Sequence, residues 1–88
     1  MPTISMFYGI IIRMYYAPKE HNPAHIHAYY QDCVSTIRLQ DCELIDGQMP
    51  SKQLRLIQAW IELHREELEA DWQLCQNGEK PFNVEPLK

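Results

Sequence analysis

The stretch Glu20–Tyr30, EHNPAHIHAYY, decides the fold, because its last six residues, His25–Tyr30, alternate in character with a period of two. Side chains on a β-strand point to opposite faces in turn, so Ile26, Ala28 and Tyr30 share one face and His25, His27 and Tyr29 the other. A strand with one apolar and one polar face belongs to a sheet covered on one side only. The flanking sequence agrees. Upstream, Thr3–Phe7 and Gly9–Tyr16 are rich in β-branched and aromatic residues and read as two strands interrupted by glycine, with a turn at Ala17-Pro18. Ile10, Ile12 and Met14 then face the core, and Ile11, Arg13 and Tyr15 face away. Downstream, Val34–Gln40 turns Ile37 and Leu39 inward and Val34, Thr36 and Arg38 outward. Cys42–Ile45 adds a short edge strand before an Asp46-Gly47 turn. The expected sheet is an antiparallel meander of about four to five strands.

Beyond Asp46–Pro50 the hydrophobic period changes. Leu54, Ile57, Ile61, His64, Leu68, Trp72 and Cys75 recur at steps of three and four, widened by Leu56, Trp60 and Leu63. This spacing predicts one helix over 50–77, opened by Pro50-Ser51 and stopped by Asn77-Gly78, with its stripe on the sheet. At about 1.5 Å per residue such a helix reaches roughly 40 Å, longer than a domain of this size is wide, so one end must overhang or bend. An overhanging Trp72 end would invite a partner. His64 reads as a hydrogen-bonded core residue, Arg65 as a partner of Glu62 or Glu69, and the acidic run Glu62–Asp71 as a solvated face. In the tail, Phe82, Val84 and Leu87 either return to the core or complete a homodimer. The fold class is α+β, an antiparallel β-meander with one long C-terminal helix packed on one face. It forms a single domain over 1–88, made of a β-rich part (1–47), the helix (50–77) and the tail (78–88).

A chain of 88 residues has room for one core, and 45% hydrophobic content is that of a folded globular domain. A net charge of −4 and a pI near 5.4 argue against a general electrostatic binder of nucleic acid or anionic membrane. Cys33, Cys42 and Cys75 are odd in number and lack C-x-x-C spacing, so neither a disulfide framework nor a cysteine zinc site is indicated, and a reducing cytoplasm fits. The most apolar run, Phe7–Tyr16, is too short to span a bilayer, carries Arg13 and has no basic leader, so no membrane role is expected.

Arg13, Tyr15, His25, His27, Tyr29 and Arg38 thus share the outward face of the expected sheet. Three chemistries would use them. His21, His25 and His27 would supply three imidazoles to zinc and leave a fourth position open; otherwise no cofactor is expected. In a ribonuclease-like enzyme, His25, His27 and Tyr29 would be the catalytic acid and base candidates, with Arg13, Tyr15 and Arg38 holding nucleic acid. In a binding module, tyrosines would stack on bases and arginines hold phosphates without any reaction. Spacing alone fits equally well with ordinary half-exposed strand histidines bonded to nearby carbonyls.

MPTISMFYGIIIRMYY, EHNPAHIHAYY and ELHREELEADWQ, in that order, resemble the bacterial family called domain of unknown function 4160, nearly end to end. The His-Asn-Pro-x-His-x-His core is the most specific feature of that resemblance, with Ala24 and Ile26 where proline and phenylalanine are usual. The resemblance implies a small bacterial protein, often encoded beside a second small protein of the domain of unknown function 2442 type, the two suspected of forming a toxin–antitoxin pair. It implies that cognate protein as partner and RNA or the translation machinery as target, and it carries no established reaction.

Overall fold

The computed structural model describes residues 2–16 and 22–88. Five strands and one helix follow in order: β1 (Thr3–Phe7), β2 (Ile10–Arg13), β3 (His25–Tyr30), β4 (Cys33–Arg38), β5 (Leu44–Gly47) and α1 (Ser51–Gln76). The strands form one sheet in the order β1-β2-β3-β4-β5, every neighbouring pair antiparallel. This is the meander with one C-terminal helix that the alternation and the change of period predict. The turn expected at Ala17-Pro18 lies outside the described residues, as does His21, whereas the Asn22–Pro23 peptide is cis and leads into β3.

Local chemistry sets the register. Tyr8 and Gly9 both take positive φ (50° and 78°), the geometry of a two-residue hairpin turn whose twist matches that of its strands, so Phe7 pairs with Ile10 and Met6 with Ile11. At the other edge, Gly47 takes φ +78° against the backbone of β4, where a Cβ would stand 2.0 Å from the Val34 carbonyl oxygen. Only glycine fits there. Gly47 therefore closes β5 opposite Ser35 instead of forming the turn expected at Asp46-Gly47. The edge strand lies at Leu44–Gly47, two residues later than Cys42–Ile45, because Cys42 sits in the left-handed region at φ 62° and cannot extend a strand.

The inner sheet face and α1 enclose Ile4, Phe7, Ile10, Ile12, Met14, Ile26, Ala28, Ile37 and Leu39 together with Ile57, Trp60, Ile61, Leu68, Trp72 and Cys75. The helix has 26 residues, about 39 Å if straight at ~1.5 Å per residue, whereas the molecule's longest dimension is 33 Å. It bends at His64, whose φ of −123° and ψ of 22° leave the helical region. Glu67 Oε1 lies 2.8 Å from His64 Nδ1, three residues into the second helical stretch, where the helix dipole favours a carboxylate. The bend keeps the second half on the core, so Trp72 is buried and does not overhang, while Leu63 beside the bend is 70% exposed and leaves the apolar stripe.

Two further groups depart from the pattern. Asp71 is buried, not part of a solvated acidic face, and its Oδ1 accepts the Phe82 N–H at 2.9 Å. Burial raises its carboxyl above the usual value of 3.8, with Phe82 opposing the shift and Glu67 adding to it. Arg65 reaches the β4–β5 turn, donating through Nη1 to the carbonyls of Leu39 and Gln40 while its Nη2 pairs with Glu62. The tail returns to the core: Val84 N–H donates to the Ile4 carbonyl at 2.8 Å, Trp60 Nε1–H donates to the Glu85 carbonyl at 2.7 Å, and the Val84 side chain is buried. No helix among the described residues is long and apolar enough to cross a membrane.

Candidate functional site

With α1 on one side of the sheet, no element among the described residues covers the opposite side, and the strand register arranges it in rows. Thr3 pairs with Arg13, Arg13 with His27, His27 with Thr36 and Thr36 with Asp46, a polar row across five strands. Met6 pairs with Ile11, Ile11 with Tyr29 and Tyr29 with Val34, an apolar row across four. On β2, β3 and β4 the two rows are two residues apart, about 6.7 Å at ~3.3 Å per residue. Met6 is 63% exposed and Val34 49%, whereas Ile11 and Tyr29 between them are half-buried.

Arg13 joins the rows. Its guanidinium carbon lies 4.9 Å from the centre of the Tyr29 ring and its Nε donates to Thr3 Oγ1 at 3.3 Å. The hydroxyls of Tyr15 and Tyr29 are hydrogen-bonded to each other. Burial, then the Tyr29 hydroxyl, pushes the Tyr15 phenol above its ordinary value of 10.0, and Arg13 partly opposes the shift. The His27 ring meets Tyr15 edge-on at 4.6 Å, and its Nδ1 lies 3.4 Å from Thr36 Oγ1.

His25 and Arg38 share the face by alternation, but His25 is covered and Arg38, though accessible, is paired within the chain. The His25 ring lies between His27, at 5.1 Å, and Trp72 of the helix, at 4.9 Å, and is 7% exposed. Its Nδ1 lies 2.7 Å from the Pro23 carbonyl oxygen, a bond that fixes the ring at the start of β3. Arg38 spends its guanidinium on Asp41 through two parallel bonds of 2.9 and 2.8 Å, and Arg38 holds the Asp41 carboxyl down at about 2. Arg13, Tyr15, His27 and Tyr29 are thus brought into one cluster. His21 lies outside the described residues, and among the described residues no three His, Cys, Asp or Glu side chains converge as metal ligands.

Thr3, Met6 and Ile11 complete the rows and were not singled out by residue type. A signal for them exists: a two-residue turn at Tyr8-Gly9 fixes Met6 opposite Ile11 by counting alone.

These features define a two-layer α+β domain with an open, tyrosine-rich sheet face. The family model for a domain of unknown function, DUF4160, matches residues 9–73, and the chain belongs to that family. No curated protein and no solved structure matches the chain.

Proposed function

We propose that this chain is the protein-binding member of a small toxin–antitoxin pair, an antitoxin or adaptor that holds its cognate protein on the open sheet face. The observation that carries this reading is the apolar row Met6–Ile11–Tyr29–Val34 beside the Arg13–Tyr29–Tyr15 cluster. Interface cores are enriched in Tyr, Met and Arg, and an exposed apolar row on a sheet whose other face is already covered is surface that a partner would bury. Charge points the same way. The net charge is −4, and of the arginines on this face Arg38 is committed to Asp41, which leaves Arg13 alone. One phosphate contact gives a salt slope of only about −0.7 on single strands, where proteins bound chiefly by charge make some 6–10 contacts. The test is co-expression with the small protein encoded beside it, followed by size exclusion. The pair is expected to elute as one complex, and Val34→Asp is expected to separate it without changing the circular dichroism. Separate elution of the wild-type proteins would refute the reading.

A second reading rests on the same cluster. An imidazole (His27), a pair of phenols (Tyr15 and Tyr29) and a guanidinium (Arg13) stand in mutual contact, the kinds of group that cleave RNA by acid–base chemistry. His27 would accept the 2′-hydroxyl proton, Tyr29 would protonate the leaving oxygen, and Arg13 would stabilise the phosphorane. This reading requires that controlled expression arrest growth and that His27→Asn, at equal abundance, relieve the arrest; growth unchanged by the wild type removes it.

A further inference from the structure

We infer that two copies of this chain assemble by exchanging their tails, each tail leaving its own body at Gly78 and filling the seat on the other copy. The exchange goes beyond the reading above, because it uses the β1 edge and α1 and leaves the open sheet face to the cognate protein.

The seat is a cleft between the helix and the first strand. The Phe82 N–H donates to Asp71 Oδ1 at 2.9 Å, and the Glu85 carbonyl accepts from Trp60 Nε1–H at 2.7 Å, so the tail runs back along α1. Between these anchors the Val84 N–H donates at 2.8 Å to the Ile4 carbonyl of β1, the edge strand, and the Val84 side chain is buried. A body without its tail exposes the β1 edge and leaves the buried Trp60 N–H without this acceptor, so an empty seat is costly. Every copy carries both the seat and the segment that fits it. A second copy therefore supplies the same three bonds and the same buried Val84, and only the path from Gln76 to Phe82 differs between closed monomer and exchanged dimer.

That path turns on Gly78. The Gly78 N–H donates to the Cys75 carbonyl at 3.1 Å and the Glu79 N–H to the Leu74 carbonyl at 2.8 Å, with Gly78 in the left-handed region at φ 76°. This reversal folds the tail back onto its own body. With helical angles at position 78 the chain runs on past Gln76 until Pro81 stops it, and the tail points away from its own seat. Phe82, next to this hinge, is 74% exposed in the closed form. In a two-fold dimer the two open hinges lie side by side at the axis, and Phe82 gains there a cover that the closed monomer does not give it.

Concentration decides between the two forms. A short tether holds its segment at an effective concentration in the millimolar range, so the closed monomer prevails at micromolar protein and the dimer gains ground toward about 1 mM. Straining the reversal lowers that threshold. Nothing among the described residues lies within 4 Å of a Cβ added at position 78, so Gly78→Val introduces no clash and acts by disfavouring positive φ.

Size exclusion with light scattering on the full chain, from about 10 μM to about 1 mM, tests this. Gly78→Val is expected to dimerise at a concentration about tenfold below that of the wild type, and adding Phe82→Ser is expected to raise it again by about tenfold. Nuclear magnetic resonance on an equal mixture of two isotopically distinct Gly78→Val copies, warmed and cooled together, then identifies the contact. The Trp60 indole of one copy is expected to show a nuclear Overhauser effect to the Val84 methyls of the other. A dimer in which Trp60 and Val84 meet only within one copy overturns the inference, because another surface then holds it. Gly78→Val that stays monomeric at every concentration with its Val84 amide protected overturns it as well. If Gly78→Val does not fold, the same mixture is made with the wild type at about 1 mM, and the absence of any Trp60–Val84 effect between copies is then the refuting result.

Discussion

Replacing Gly47 by alanine should be costly, and replacing Gly78 by alanine should not, although the two backbones are nearly alike. Their φ angles are +78° and +76°, so the left-handed strain of a Cβ is common to both, about 1–2 kcal/mol. Both substitutions also recover about 0.4–1 kcal/mol by restricting the unfolded chain. The surroundings differ. Around Gly78 nothing lies within 4 Å of the added Cβ, whereas at Gly47 it would stand 2.0 Å from the Val34 carbonyl oxygen and 3.0 Å from the Ser35 Cα. Carbon contacts settle near 3.5–4 Å, so β5 must retreat from β4 by more than ~1 Å. That retreat breaks the Gln48 N–H to Val34 carbonyl bond, now 3.2 Å. A net hydrogen bond is worth about 1 kcal/mol, which brings Gly47→Ala to about 2 kcal/mol and leaves Gly78→Ala at about 0.5–1. For a domain of this size these correspond to Tm losses of roughly 8–16 °C and 2–8 °C. Thermal and urea unfolding followed by circular dichroism measure both. Equal losses would refute the argument, because they would mean that the close approach to Val34 contributes nothing.

Three other outcomes follow from the tail, the helix and the buried carboxylate. Trp60→Phe removes the donor to the Glu85 carbonyl and part of a buried side chain, costing about 2–3 kcal/mol. It should also speed hydrogen exchange at the Val84 amide, which is bonded to Ile4. Unchanged protection there would show that the indole does not hold the tail. Arg65→Met strips the Leu39 and Gln40 carbonyls of their donor and should cost about 1–2 kcal/mol in urea unfolding. A cost below about 0.3 kcal/mol would place Arg65 among surface residues of no structural weight. For Asp71, burial raises the folded carboxyl above 3.8, so the folded state holds this proton to higher pH than the unfolded chain does. Stability from this group is therefore greatest below pH 3.8 and falls as pH rises through the folded value. Asp71→Asn should remove that part of the slope, and parallel stability–pH curves for the two proteins would contradict it.

Much of this architecture is legible from spacing. Period-two alternation in Ile10–Tyr15 and His25–Tyr30 assigns each side chain to the face where the structure puts it, because the pleat leaves no other choice. Asp71 shows where residue type misleads: it stands three residues after Leu68 and four before Cys75, squarely on the buried stripe, but its charge argues for solvent. Its partner, the Phe82 amide, comes from a tail segment with no periodicity to place it. His25 fails differently. Alternation puts it on the open face, and the packing of Trp72 against the beginning of β3 helps to cover it. Arg38 is removed from the site by Asp41 through a turn geometry that depends on Cys42 at positive φ, which a non-glycine residue does not announce. Within the cluster, Arg13, Tyr15, His27 and Tyr29 were visible as candidates because each needs only its own strand's alternation and the neighbouring register.

The most direct test is calorimetric titration of the proposed partner, a small protein of the domain of unknown function 2442 type, into the wild type and into a Met6→Asp/Val34→Asp variant. Both positions are exposed and outside the core, so the variant should keep the wild-type fold and Tm. The open-face account predicts a stoichiometric complex with the wild type and a loss of at least about a hundredfold in affinity for the variant. Equal affinity for the two proteins would contradict it, because the partner would then be held elsewhere on the molecule.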